Sequence, residues 1–152
     1  MDPDPASFIT LFADNFSQLF GIVAAVLLLI SSAMISGAEV AMFSLTPADF
    51  EAEESKRTVK EQIVISLLDR PKKLLATILV ANNMINIAII LLFDNLTDTA
   101  FESIDTVVMG VDLQFLLEVV VVTFLILLFG EILPKVYASR NRVEFSHLMA
   151  YP

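Results

Sequence analysis

Uncharged stretches organise the chain. Asn15 to Ala38 carries no ionisable side chain, and neither does Leu74 to Phe93. A third stretch runs from Val119 to Gly130 and extends back through Leu113–Leu117 if Glu118 is tolerated within it. A helix needs roughly 20 apolar residues to cross a hydrocarbon core about 30 Å thick. The first two stretches meet that length alone. The third, taken from Leu113, covers about 27 Å at ~1.5 Å per residue, enough for a short crossing. The pattern predicts an all-α membrane protein: one transmembrane domain over 1–152 with three transmembrane helices, at about 19–45, 71–92 and 113–133.

The segments between these spans have patterns of their own. Phe8, Ile9, Phe12 and Phe16 stand at roughly helical spacing in residues 1–18 and suggest an interfacial turn. Thr46-Pro47 reads as an N-cap followed by proline at the first helical position, which predicts a helix to about Arg57. Val59, Ile63, Val64, Leu67 and Leu68 form one apolar face over Val59–Asp69. Together these two helices would make a cytoplasmic amphipathic hairpin over about 47–69. Pro71 opens the second span in the tolerated first turn. Pro134 is expected to break or kink the third, with a juxtamembrane helix from about 136. The chain then stops at Pro152, as at a domain boundary.

Charge orients these elements. All nine basic residues fall in two segments: Lys56, Arg57, Lys60, Arg70, Lys72 and Lys73 before the second span, and Lys135, Arg140 and Arg142 after the third. The loop Asp94–Asp112 has acids and no bases. The positive-inside rule places both basic segments in the cytoplasm, so the topology is N-out, C-in. A cleaved signal peptide needs a positive start; residues 1–20 hold Asp2, Asp4 and Asp14 and no Lys or Arg. The acidic outer loop follows from this topology and can also concentrate cations. The expected location is the inner (plasma) membrane, multi-pass, with the lipid bilayer as one partner and no nucleic acid.

Composition narrows the chemistry. The hydrophobic fraction is 57%, against about 45–50% for a soluble domain, and the mean hydropathy is +0.78. There is no Cys and the single His is His147, which removes thiolate sites and disfavours imidazole-ligated zinc or copper. An enzyme is not expected. A serine hydrolase wants a His base, and no span contains the two Asp of an aspartyl dyad.

Polar residues inside a span cost a few kcal/mol each on insertion scales and usually serve a function. The first span holds Ser31, Ser32, Ser36, Gly37 and Glu39. The second holds Asn82, Asn83 and Asn86, and the third ends in Gly130, Glu131 and Pro134. Counted along ideal helices from the inner ends, Ser36 lies at about 13 Å depth and Asn82 and Asn86 at about 12–18 Å, so the three groups can meet in the inner half of the bilayer. Hydroxyl, amide, carboxylate and freed backbone carbonyl are hard oxygen donors suited to Mg²⁺, Ca²⁺ or Na⁺. Ser31 and Ser32 read as helix packing. Glu39 stands near the interface, Glu118 at the outer boundary, and Lys135 is one turn from Glu131 and a possible partner for it.

Three runs then resemble the transmembrane domain of the CorC/CNNM magnesium transporter family: SGAEVAMFSL (Ser36–Leu45), LLATILVANNMINIA (Leu74–Ala88) and GEILPK (Gly130–Lys135). Ala81 stands where the family usually has Gly. The resemblance implies a homodimer that exports Mg²⁺, coupled to Na⁺ influx. It implies ligands from Ser36, Asn82 or Asn83, Asn86 and Glu131, with carbonyls near Gly130; Gly37, Glu39, Pro134 and Lys135 are secondary candidates. Family members bind ATP through a CBS module, which this sequence lacks, so ATP is not an expected ligand here. The rival reading is a membrane scaffold or regulatory subunit, as in motility or secretion, with a structural or sensing ion site.

Overall fold

The computed structural model describes residues 5–51, 54–100, 107–108 and 111–151, with side chains over 16–51, 55–93, 116 and 119–151. The first apolar run folds as one helix, α1, Pro5–Phe43. Its 39 residues extend about 58 Å, so the expected turn in residues 1–18 is instead continuous helix from Pro5. Nothing in Asp14–Gly21 breaks the periodicity, and Gly21 is buried within it. The second run is α3, Pro71–Ala100, again longer than the apolar stretch that marks it. After a two-residue antiparallel pairing, Val107–Val108 with Val111–Asp112, the third run begins as α4, Leu113–Leu125.

Three helical stretches have the length and hydropathy to cross a membrane: Phe16–Phe43, Pro71–Phe93 and Val119–Arg140. Their packing is inside-out relative to a soluble bundle. α1 buries small or polar residues, Gly21, Ala25, Ser32, Ser36, Gly37, Ala38 and Ala41, and exposes Phe20, Val23, Leu27 and Ile30. Small side chains let helices approach closely where lipid, not water, is the competing solvent. In the second span Ile89 is the one buried residue among those described, and Leu79, Met84, Ile87 and Leu91 face outward. Such an apolar surface is untenable in water and suited to acyl chains.

The third span departs from the expected break at Pro134. α4 continues into a π-helical segment, Ile126–Ile132, and then into α5, Leu133–Arg140. Leu133 N–H bonds the Leu128 carbonyl, five residues back. The wider π turn makes room for the Pro134 ring at the start of α5, so the missing amide hydrogen is accommodated and the helix continues.

The expected hairpin also changes. α2, Val59–Leu68, forms as the apolar face predicts, with Thr58 as N-cap and Asp69 as C-cap. Its capping box is complete: Glu61 Oε2 accepts from the Thr58 N–H at 2.6 Å and hydroxyl at 2.8 Å, and the Thr58 hydroxyl accepts from Glu61 N–H at 3.3 Å. These bonds, the backbone one first, hold the Glu61 carboxyl below its usual range. The preceding stretch forms no α-helix among the described residues. Two 3₁₀ turns, Pro47–Asp49 and Glu54–Lys56, take its place, because residues 47–57 offer Phe50 but no repeating apolar face to bury.

A last helix, α6, Arg142–Leu148, packs back on α1. The Phe145 ring occupies the space a side chain on Gly37 would need; a Cβ there would lie 2.5 Å from Phe145 Cζ. Arg142 closes the same contact electrostatically, its Nη2 lying 2.9 Å from Asp49 Oδ1. Asp49 Oδ2 also accepts from the N–H and the hydroxyl of Thr46, each at 2.7 Å. The Thr46 N–H, then its hydroxyl, then Arg142 lower the Asp49 pKa from 3.8 to about 2. A depressed carboxylate stabilises above its unfolded pKa and loses that contribution as pH falls through the folded one. Amide protection in α6 should therefore fall between pH 3.8 and about 2, and Asp49→Asn should lower protection at neutral pH and flatten the acid profile.

Candidate functional site

One polar cluster lies where α1, α3 and the π segment meet. Ser32 is buried, with its Oγ 3.1 Å from both Asn82 Oδ1 and Asn86 Oδ1. Asn82 and Asn86 are four residues apart, so α3 presents them on one face. Their amide nitrogens turn to the same carboxylate oxygen: Nδ2 of Asn86 lies 3.3 Å and Nδ2 of Asn82 3.5 Å from Glu131 Oε1. An ionised carboxylate only accepts. Glu131 therefore orients both amides, nitrogens toward itself and oxygens toward Ser32.

The π segment completes the cluster from the other side. A Cβ on Gly130 would stand 3.0 Å from Ser32 Oγ, so glycine permits the close approach. Pro134 has no amide hydrogen to give, so a carbonyl around Phe129–Gly130 loses its usual donor and remains available as an acceptor. π-bulges of this kind are common at functional sites.

The two sides of the cluster differ. Toward the 94–112 end lies an apolar group, Ile89, Val122 and Ile126, packed with Leu28, Leu29, Ile85 and Phe93. Toward the end carrying α2, Lys135 Nζ pairs with Glu39 Oε2 at 3.1 Å. That ion pair borders a cavity of about 380 Å³, also lined by Val40, Phe43, Ser44 and Leu75.

Of the residues singled out in the sequence, Asn82, Asn86, Gly130 and Glu131 come together. Asn83 does not: it lies about 100° round the helix from Asn82 and is exposed. Lys135 pairs with Glu39 rather than with Glu131. Gly37 receives Phe145, and Pro134 sits in the first turn of α5. Ser36 is 1% exposed and its hydroxyl has no hydrogen-bond partner among the described residues. Ser31 donates back to the Leu27 carbonyl at 2.8 Å, a local helix bond. Ser32, which the sequence assigned to packing together with Ser31, lies at the centre of the cluster. One signal pointed to it: Ser32 and Ser36 repeat at the same one-turn spacing as Asn82 and Asn86. The side chains of Glu118 and of residues 94–112 lie outside the described set.

Among the described residues no three acidic, His or Cys side chains gather. The cluster thus combines one carboxylate with neutral oxygens. Comparison with curated proteins finds no match. The model of the Cyclin M transmembrane N-terminal domain, CNNM, matches residues 23–152, and the chain therefore belongs to the CNNM family, a membrane family related to Mg²⁺ transport.

Proposed function

We propose that this domain exports Mg²⁺ in exchange for Na⁺, and that the cation passes through the nest formed by Ser32 Oγ, Asn82 Oδ1, Asn86 Oδ1 and a carbonyl near Gly130. The spacing of these oxygens carries the reading. Mg²⁺ prefers octahedral oxygen at about 2.0–2.1 Å, so adjacent ligands stand about 2.9–3.0 Å apart. The two Ser32–amide distances are 3.1 Å. Both amide oxygens already point into the nest, and the Ser32 proton need only turn away. Glu131 sits behind the amides, supplying negative charge and holding their orientation. Glu39, paired with Lys135 toward the end carrying α2, is the next carboxylate in that direction among the described residues.

The apolar seal on one side and the cavity on the other fit an inward-facing state, given an N-out, C-in orientation in the plasma membrane. A homodimer fits the sparse burial of α3, since a polar cluster on three helices needs further protein to exclude lipid. The test is Mg²⁺ flux in proteoliposomes with and without a Na⁺ gradient. Mg²⁺ movement that rises with an opposing Na⁺ gradient is expected. Saturable Mg²⁺ binding with no flux under either condition would leave a scaffold or sensing subunit instead.

A further inference from the structure

Two adjoining cavities lie at the α2–α3 junction, and no residue of the polar cluster lines either of them. The first, about 310 Å³, is a mostly apolar slot between α1, α3 and the chain end, with Ile35, Met42, Ile78 and Tyr151 among its walls. The second, about 500 Å³, is lined by Ser66, Asp69, Arg70 and Lys73. Leu67, Leu74 and Thr77 line both. An apolar slot thus shares a wall with a cationic recess where the second span, Pro71–Phe93, begins.

We propose that this pair of cavities binds one anionic phospholipid, its acyl chain in the slot and its phosphate at Arg70 and Lys73. Three observations support that occupant. Among the described residues the side chains of Arg70, Lys72 and Lys73 have no ion pair or hydrogen bond within the chain. Asp69 is the only carboxylate lining the recess, so its charge remains positive with Arg70 and Lys73 opposite it. The polar recess lies where the second span begins, whereas the slot runs alongside α1 and α3 within the spans, an order that matches a lipid headgroup and tail. A soluble phosphate would use the recess and leave the slot idle. Basic recesses beside spans on the cytoplasmic side commonly hold anionic headgroups.

The experiment is lipid retention by the full chain, purified in mild detergent and read by native mass spectrometry after exposure to equal phosphatidylglycerol and phosphatidylcholine. Retention of one phosphatidylglycerol per chain, about tenfold over phosphatidylcholine, is expected. Arg70→Gln with Lys73→Gln should remove the preference. Lys60→Gln, outside the recess, should leave it intact. Thr77→Leu, at the shared wall, should lower retention of both lipids, and glycerophosphoglycerol without tails should not compete. Equal retention of the two lipids by the wild type would overturn the proposal. So would equal losses in the Lys60 and Arg70/Lys73 variants, which would indicate diffuse surface charge. Displacement by the tail-less headgroup would mean a simple phosphate site. A lipid-free dimer that protects Tyr151 from modification would mean that a second copy fills the slot.

Discussion

Replacing Glu131 with Gln should abolish measurable Mg²⁺ binding and flux while leaving the protein folded and inserted. The substitution keeps the shape and keeps an oxygen that can accept from the Asn82 and Asn86 amides, so the local hydrogen bonds can survive. It removes the one negative charge that contacts the cluster among the described residues. Glu131 bonds to Nδ2 of each amide at 3.3–3.5 Å, which puts a cation in the nest on the order of 6 Å away. At an effective dielectric of about 20, a carboxylate and a divalent ion at ~6 Å attract by on the order of 5 kcal/mol. That is roughly three to four powers of ten in affinity. Among the described residues Glu131 has no ion pair, and the nearby Lys135 is engaged with Glu39. Glu131→Asp keeps the charge but shortens the reach to both amides, so it should fall between the two. The measurements are Mg²⁺ titration by calorimetry and flux in proteoliposomes, with thermal stability as the folding control. A loss below about tenfold in the Gln variant would place the ion elsewhere, and Glu39 would be the next carboxylate to test.

The three spans were legible because a membrane imposes a simple requirement on sequence: some twenty apolar residues without charge. α2 was legible for a different reason, since Val59, Ile63, Val64, Leu67 and Leu68 recur on one helical face; the Thr58–Glu61 capping box that starts it is a finding of the structure. Asn82, Asn86 and Glu131 were legible because amides and acids within a span are costly. What was not legible depends on how helices turn against each other. Asn82 and Asn83 are chemically identical neighbours, and only the rotation of α3 decides that Asn82 faces Ser32. The continuation of the third span past Pro134 needed the π segment, a distortion with no simple residue code. The pairing of Lys135 is similar: Glu131 is the local candidate at one turn, but α5 lies against α1 and brings Glu39 within 3.1 Å.

Ser32→Ala should weaken Mg²⁺ binding strongly, whereas Ser36→Ala should change it little. The motif resemblance points to Ser36, and the geometry points one turn earlier. The Ser32 Oγ lies 3.1 Å from both amide oxygens, with one proton to donate between them, and abuts Gly130. Removing it deletes one oxygen of the nest and leaves Glu131 alone to orient the amides. Loss of a group that only orients metal ligands costs about 10–100-fold in affinity, so a group that both ligates and orients should cost at least that. The Ser36 hydroxyl bonds to none of these residues and is buried without a partner. A buried, unsatisfied hydroxyl carries a desolvation cost of about 1–3 kcal/mol. Removing it should leave stability equal or slightly raised, with binding within about threefold of wild type given the usual spread of single-contact effects. Ser32→Thr, which retains the hydroxyl but adds a methyl beside Gly130, should bind better than Ser32→Ala if its rotamer can be accommodated. The discriminating measurement is the ratio of Mg²⁺ affinities for the two alanine variants, taken alongside their melting temperatures. A large loss in Ser36→Ala together with near-normal binding in Ser32→Ala would move the site one helical turn toward α2, where the unpaired Ser36 hydroxyl would become its first ligand.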